Sequence, residues 1–150
     1  MKKIKFTLLA LMIVFLVGCS NNTSVEEIDS NSDTIVISED MYVTWINEIY
    51  VNYQDYIGKK IKLEGMYTNY YSMQDDETYN MVYRVGPGCC GNDGNMAGFK
   101  FECAGELPKE NDWIEVEGVL DTYEAYGINN LILKDAKVKV KEERGIETVG

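Results

Sequence analysis

The chain has 150 residues, a formal net charge of −11 at pH 7 and no histidine. This length corresponds to one domain with a single core, and the acidic charge excludes nucleic acid as a partner, because phosphate binding requires a basic surface. The lack of histidine excludes Ser-His-Asp and Cys-His catalysis, and without a phosphate loop or a glycine-framed serine nucleophile we expect a protein that is not an enzyme.

The N-terminus is typical of a secretory signal that ends in a lipidation site. Residues 1–18 begin with lysines, continue in an apolar run and end in Gly18, directly before Cys19. Small residues before a cysteine resemble the lipobox of bacterial lipoproteins, in which the cysteine carries diacylglycerol. We therefore predict a signal peptide over 1–18, lipidation of Cys19, and anchoring on the extracytoplasmic face of the bacterial cell membrane. An uncleaved anchor is the alternative.

The segment after Cys19 is predicted to be a flexible tether over 19–38. Its first part is polar and nearly free of large apolar side chains, so it has little surface to bury. Its last five residues, 34–38, form a short β-branched run, which is a candidate edge strand.

A helix is predicted over 39–53, because apolar residues recur there at helical spacing. Its first turn carries Glu39 and Asp40, which the helix dipole favours at that end. The apolar face is expected to be core and consists of Tyr42, Trp45, Ile46, Ile49, Tyr50 and Tyr53.

After Gly58 the apolar period changes to two, which predicts β-strands. The predicted strands are 59–68, 79–86, 99–103, 112–124 and 130–140. Five bent strands favour a mainly β fold with one N-terminal helix, in the form of a small OB-like five-stranded barrel. A β-sandwich is the alternative. We expect the helix and barrel to form one domain over 39–141, followed by a frayed tail over 142–150.

Two strands contain a similar pentapeptide, "IKLEG" at 61–65 and "IEVEG" at 114–118. In both, an alternating run ends in glutamate and glycine. A glycine inside a strand is typical of a bulge or a sharp bend, which a small barrel needs where it turns a corner.

Two adjacent cysteines lie in the glycine-rich segment "GPGCCGNDG" at 86–94. With Cys19 lipidated, the remaining thiols are Cys89, Cys90 and Cys103. They favour a disulfide, either from Cys103 to one of the pair or between the adjacent two, since extracytoplasmic thiols normally oxidise. Alternatively, these three with Asp93 form a site for Zn²⁺ or another soft metal ion. In a third interpretation Cys103 is an inert core residue, because it alternates with two phenylalanines.

The segments "YIGKKIKLEG", "RVGPGCCGNDG" and "DWIEVEG", in this order, resemble a family of bacterial envelope proteins over about 40–140. Family members are grouped with a predicted multi-spanning permease, and in many of them the domain follows transmembrane helices, where this chain has a predicted lipid anchor. The resemblance implies an OB-like domain, a Cys-Cys-x-x-Asp loop and a transport-associated role. The matching positions are Gly58, Lys59, Cys89, Cys90, Asp93, Trp113 and Gly118.

These observations favour a membrane-tethered, non-enzymatic binding or accessory module whose thiol-rich loop binds a soft metal ion. One alternative is a thiol redox protein with Cys89 or Cys90 as nucleophile, which needs a nearby cation; Arg84 and Lys100 are the nearest in sequence. The other is a purely structural interaction domain stapled by a disulfide, with a face that binds sugar or peptide. The candidate residues of that face are Tyr67, Tyr70, Tyr71, Tyr83, Tyr123 and Tyr126.

Overall fold

Alternating apolar and polar residues produce β-strands in the computed structural model, which describes residues 34–87 and 94–150. The described strands are β1 (Thr34–Val36), β2 (Lys60–Ser72), β3 (Glu77–Gly86), β4 (Asn95–Phe101), β5 (Trp113–Ala125) and β6 (Ile128–Val140). The helix α1 spans Tyr42–Val51, with short 3-10 turns at Glu39–Met41 and Tyr53–Asp55. Within these two ranges no helix has the length and apolar character needed to cross a membrane.

The strands β2 to β6 close into a barrel. Their order in the sheet is β1-β2-β3-β4-β6-β5, and an additional pairing of β2 with β5 closes the ring. The pairing of β4 with β6 is parallel and short, and joins Lys100 to Ile132 and Phe101 to Leu133. The predicted mainly β fold with one helix and a small five-stranded barrel is confirmed, and the sandwich alternative is wrong.

The two similar pentapeptides are direct partners in the antiparallel pairing of β2 with β5. Ile61 is opposite Gly118, and Gly65 is opposite Ile114. The register between β5 and β6 shifts between Glu117 and Val119, so Gly118 lies at a bulge, as predicted. A Cβ atom at Gly118 would lie 2.9 Å from the Leu133 Cβ atom, and one at Gly65 would lie 2.5 Å from the carbonyl oxygen of Tyr83. Both glycines therefore allow close approach of neighbouring strands.

The core fills the barrel and extends under α1. The apolar residues of the two alternating runs, Ile61 and Leu63 of β2 and Ile114 and Val116 of β5, are buried. The helix contributes the buried residues Tyr42, Ile46 and Ile49. Tyr50, also predicted as core, is 46% exposed, although its ring stacks on Phe99 with centroids 5.4 Å apart. Trp45 and Tyr53 pack against the same cluster. The helix therefore covers part of β4 with the predicted face.

The last residues of the predicted tether belong to the folded domain. Thr34–Val36 form β1, which pairs in parallel with the start of β2. Ile37 is buried, and its amide donates a hydrogen bond to the Lys62 carbonyl oxygen at 2.8 Å. The boundary predicted at residue 38 is therefore too late, because the β-branched run gains both strand pairing and burial.

The C-terminal tail is folded against the barrel rather than frayed. The Val85 amide donates to the Glu147 carbonyl oxygen at 2.8 Å, and the Val149 amide donates to the Val85 carbonyl oxygen at 2.9 Å. Val149 is buried in the core. The prediction of a frayed tail over 142–150 is wrong, because its backbone pairs with β3 and its apolar side chain is covered.

Candidate ligand-binding pocket

Most of the predicted site residues lie outside the described ranges. They are the lipidation site Cys19 and the loop residues Cys89, Cys90 and Asp93, and their roles stay predictions. Cys103 is described; it is half-buried, packs against the core and forms no disulfide within the described ranges. Burial raises the pKa of its thiol, which keeps it protonated and weakly reactive at neutral pH.

The strand β4 separates Cys103 from the described ends of the cysteine loop. Gly86 pairs with Asn95 at the loop end of the β3–β4 hairpin, whereas Asn80 pairs with Phe101 at the other end. β4 has seven residues, so at about 3.3 Å per residue its ends lie about 20 Å apart. Cys103 follows the far end, and the fold therefore does not bring it beside the points where the loop enters and leaves the barrel. Within the described residues, no group of three or more Cys, Asp or Glu side chains could hold a metal ion.

Arg84, one of the two cations considered for a redox site, is buried in the core. Its guanidinium lies 4.8 Å from the ring centroids of both Tyr42 and Trp113. Its Nη1 atom is 3.4 Å from a Glu39 carboxylate oxygen. Only 3% of the arginine is exposed, so its charge is already held by aromatic faces, backbone carbonyls and a carboxylate.

Lys100, the second cation, lies at the centre of a tyrosine cluster. Its Nζ atom is 3.8 Å from the ring centroid of Tyr79, 4.9 Å from that of Tyr123 and 5.3 Å from that of Tyr70. Strand register explains the cluster. Tyr70 is opposite Tyr79 in the β2–β3 pair, and Met81, two residues after Tyr79 and on the same face, is opposite Lys100.

Lys100 is charged at neutral pH. Burial alone would lower the pKa of its amine, but hydrogen bonds to Tyr123 and Tyr70 outweigh that effect, and the pKa is raised. No ion pair joins Lys100 to any carboxylate in the described part of the chain. Aromatic rings and phenol oxygens therefore stabilise the ammonium. They carry no negative charge, so the net charge of Lys100 stays uncompensated.

A pocket of about 390 Å³ opens beside this lysine. This volume lies toward the lower end of the range of about 300–1,000 Å³ typical of small-molecule sites. Its walls come from the end of α1 and from four strands, and Lys100 is the one charged residue among those described in the lining. The lining residues are Tyr50, Tyr53, Tyr70, Met81, Lys100, Asn129, Asn130 and Leu131.

The pocket lies close to two hairpins that meet at one end of the barrel. The Ser72 Oγ atom at the end of β2 and the Tyr126 hydroxyl between β5 and β6 are 2.7 Å apart and share a hydrogen bond. In OB-type barrels these two loops and the adjoining sheet face bind oligosaccharides and oligonucleotides. A second pocket of about 600 Å³ is lined by Tyr79 and Tyr123, which do not line the first pocket. It is acidic and is also lined by Asp75, Glu77, Glu102 and Glu124.

The tyrosines predicted to form a binding face are divided by the structure. Tyr70 and Tyr123 belong to the cluster around Lys100, whereas Tyr71 and Tyr126 are exposed near the hairpin turns. Tyr67 is fully buried, and its hydroxyl donates to Asn80 Oδ1 at 2.8 Å. Tyr83 is half-buried and does not line either pocket.

Sequence reasoning did not assign Tyr50, Tyr79 or Lys100 to a binding face. The alternation of Lys100 with two buried phenylalanines indicates that it lies on the opposite face of β4. The position of Tyr79 opposite Tyr70 depends on the hairpin register, and that of Tyr50 depends on how α1 docks. Only the first of these signals can be read along the chain.

No curated protein and no solved structure has a significant similarity to the chain. One family model, described as the DUF1980 C-terminal domain, matches residues 19–149, which is nearly the whole chain. The activity of this family is uncharacterised. The chain therefore belongs to the DUF1980 C-terminal domain family.

Proposed function

We propose that the protein is a lipid-anchored extracytoplasmic accessory module that binds a small ligand without transforming it. The observation that supports this proposal is the pocket of about 390 Å³, which is lined by three tyrosines, two asparagines and one lysine. Pockets with apolar and aromatic walls and a few convergent polar groups are typical of ligand sites. The pocket also adjoins the loops that OB-type barrels use for binding.

The protonation states of the pocket side chains favour binding over acid–base chemistry. Desolvation of its partly buried hydroxyl, which donates to the Gly98 carbonyl oxygen at 3.1 Å, raises the pKa of Tyr50. The pKa of Lys100 is also raised above its ordinary value. Burial lowers this pKa, but hydrogen bonds to tyrosine raise it by more. A general acid or base works best when its pKa lies near the operating pH. These groups keep one protonation state near pH 7, which suits a site that recognises a ligand of fixed charge.

The membrane attachment in this proposal rests on the sequence of residues 1–19. A lipid on Cys19 would keep the domain at the outer face of the cell membrane, where it meets solutes before a transporter does. The partner in this proposal is a multi-spanning permease, because the sequence resembles permease-associated envelope proteins. Loss of lipid label from the Cys19→Ser protein is the expected result for this part.

Soft-metal binding by Cys89, Cys90 and Asp93 remains a separate proposal, since these residues are outside the described ranges. The fourth predicted ligand, Cys103, has less support, because β4 separates that thiol from the described ends of the loop. The redox alternative has less support, because Arg84 is held by aromatic rings and a carboxylate and Lys100 by tyrosines. A disulfide within the loop is the remaining structural alternative.

The binding proposal is tested by native mass spectrometry of the full mature chain in detergent, after incubation with small molecules extracted from bacterial envelopes. We expect a bound mass that is lost in Tyr70→Ala and retained in Tyr71→Ala. These adjacent tyrosines form a matched pair, since Tyr70 lines the pocket and Tyr71 is 58% exposed outside it. Equal retention by both variants, or no bound mass on the wild type, would contradict the proposal.

A further inference from the structure

We infer that the pocket beside Lys100 binds an acidic carbohydrate, in which the carboxylate of one sugar pairs with the Lys100 ammonium. This inference rests on the proposed function and names the ligand class of the same pocket. It draws on three properties of the described residues: the aromatic walls, the two asparagines in the lining and the uncompensated positive charge.

The walls suit a sugar ring. Tyr50, Tyr53 and Tyr70 contribute aromatic surface from two different elements, α1 with its following turn and β2. A pyranose ring presents C–H groups on its faces and hydroxyls around its edge, so it packs on aromatic rings while hydrogen bonding sideways. Tyrosine combines an apolar body with a polar end and can serve both parts of such a ligand.

The asparagine amides suit hydroxyl groups. Asn129 and Asn130 follow one another at the start of β6 and both line the pocket. Each amide group offers a carbonyl oxygen that accepts and an NH₂ group that donates, and a sugar hydroxyl can satisfy either. The Asn130 side chain already donates to the Ile128 carbonyl oxygen at 3.0 Å, which fixes its orientation and leaves its own oxygen available.

Lys100 determines the charge of the ligand. An ammonium has three donors, and the Tyr123 hydroxyl accepts a hydrogen bond from one of them. A neutral ligand that displaced water from the pocket would leave the charge without a counterpart, which costs free energy in a partly buried site. A carboxylate supplies both the acceptor and the opposite charge.

The neighbouring acidic pocket limits how many acid groups the ligand carries. Tyr79 and Tyr123 contact Lys100 on one side and line the acidic pocket on the other. A second carboxylate extending toward Glu102 or Glu124 would be repelled. We therefore expect a ligand with a single acid group at the Lys100 end, and the volume of about 390 Å³ suits one or two sugar units.

The probe is the disaccharide glucuronosyl-β-1,4-glucose, which carries one carboxylate. Its methyl ester is the matched neutral ligand, and acetate tests the charge alone. Calorimetric titration of the full mature chain in detergent compares wild type, Lys100→Met and the control Lys139→Met, whose lysine is exposed on β6 away from the pocket. We expect the acid to bind wild type at least tenfold more tightly than the ester, and acetate not to bind detectably.

In Lys100→Met the acid and the ester should bind with similar affinity, whereas Lys139→Met should behave as wild type. Equal binding of acid and ester by the wild type would overturn the inference without reliance on any variant. The envelope survey separates two failures. If the disaccharide does not bind but another ligand is captured and lost in Tyr70→Ala, the ligand class is wrong and the proposed function stands. If the wild type captures nothing, both fail.

Discussion

Replacement of Arg84 by methionine tests whether a buried guanidinium ties the C-terminal tail to the barrel. The Arg84 Nε atom donates to the Glu64 carbonyl oxygen at 2.9 Å, and Nη1 donates to the Ile146 carbonyl oxygen at 3.1 Å. Between these bonds the guanidinium lies against the rings of Tyr42 and Trp113. Methionine keeps much of the apolar stem but makes none of the polar contacts, so two carbonyl groups lose a donor.

The expected loss follows from those contacts. A hydrogen bond that involves a charged group contributes about 1.5–3 kcal/mol, and a desolvated cation–π contact about 2 kcal/mol. These terms are not additive, and removal of the charge also removes the cost of burying it. We expect the free energy of unfolding to fall by about 3 kcal/mol, which is a large share of the roughly 5–15 kcal/mol typical of a folded domain.

Arg144→Met is the matched control. Arg144 also lies over the Trp113 ring, 5.6 Å from its centroid, and its Nη2 atom is 2.6 Å from a Glu147 carboxylate oxygen. Its side chain is 41% exposed, however, so solvent replaces most of what the substitution removes. We expect a loss of about 0–1 kcal/mol for this variant.

Urea unfolding at pH 7, followed by circular dichroism, measures both variants. The slope of the unfolding free energy with urea concentration should stay at the wild-type value, since the exposed surface of the unfolded chain is unchanged. A loss for Arg84→Met that is below about 1 kcal/mol, or no larger than that of Arg144→Met, would refute the argument that the buried contacts stabilise this end of the fold.

Three further predictions concern other parts of the chain. Gly98→Ala should lower the unfolding free energy by about 1–3 kcal/mol, because its Cβ would lie 1.9 Å from the Val82 carbonyl oxygen. In the control Gly150→Ala the Cβ meets no atom within 4 Å, so urea unfolding should be unchanged. Cys103→Ser should leave the native mass increment from bound metal, or the two-proton deficit of a disulfide, as in wild type; loss of either would show that Cys103 reaches the loop. Burial raises the pKa of Tyr42 above 10, so above about pH 10 the unfolded chain releases a proton that the native chain keeps, and stability falls as pH rises. Tyr42→Phe should reduce that fall in unfolding free energy by up to about 1.4 kcal/mol per pH unit. The substitution also removes a hydroxyl that has no hydrogen-bond partner among the described residues. Identical alkaline unfolding curves for the two proteins would contradict this prediction.

Local periodicity explains why most strands were predicted. The alternation in 59–68 and 112–124 assigns Ile61, Leu63 and Ile114 to the core side, and all three are buried. The same reasoning ended β2 too early, since the polar run after residue 68 reads as a turn. Tyr70 and Ser72 are instead paired with β3, because cross-strand contacts of a hairpin stabilise residues whose own composition is typical of a loop.

Glycine was the main source of error near the cysteine loop. The residues before Phe99 include Gly98 and read as loop, but β4 begins at Asn95. Gly98 lies inside the strand because the backbone of β3 approaches too closely for any side chain. A sequence cannot distinguish a glycine needed for flexibility from one needed for close approach, because the approaching strand is a different part of the chain.

The amino-acid sequence by itself determined the periodicity of the strands, the buried face of the helix, the bend at Gly118 and the classes of catalysis that a chain without histidine cannot perform. These properties depend on residue type and on neighbours within a few positions. Only the tertiary structure decided that Lys100 lies among three tyrosines, that Arg84 is buried under the C-terminal tail, and that Cys103 lies at the opposite end of β4 from the cysteine loop. Each of these depends on strand register and barrel closure, which join segments far apart in sequence and are set by the packing of the whole core.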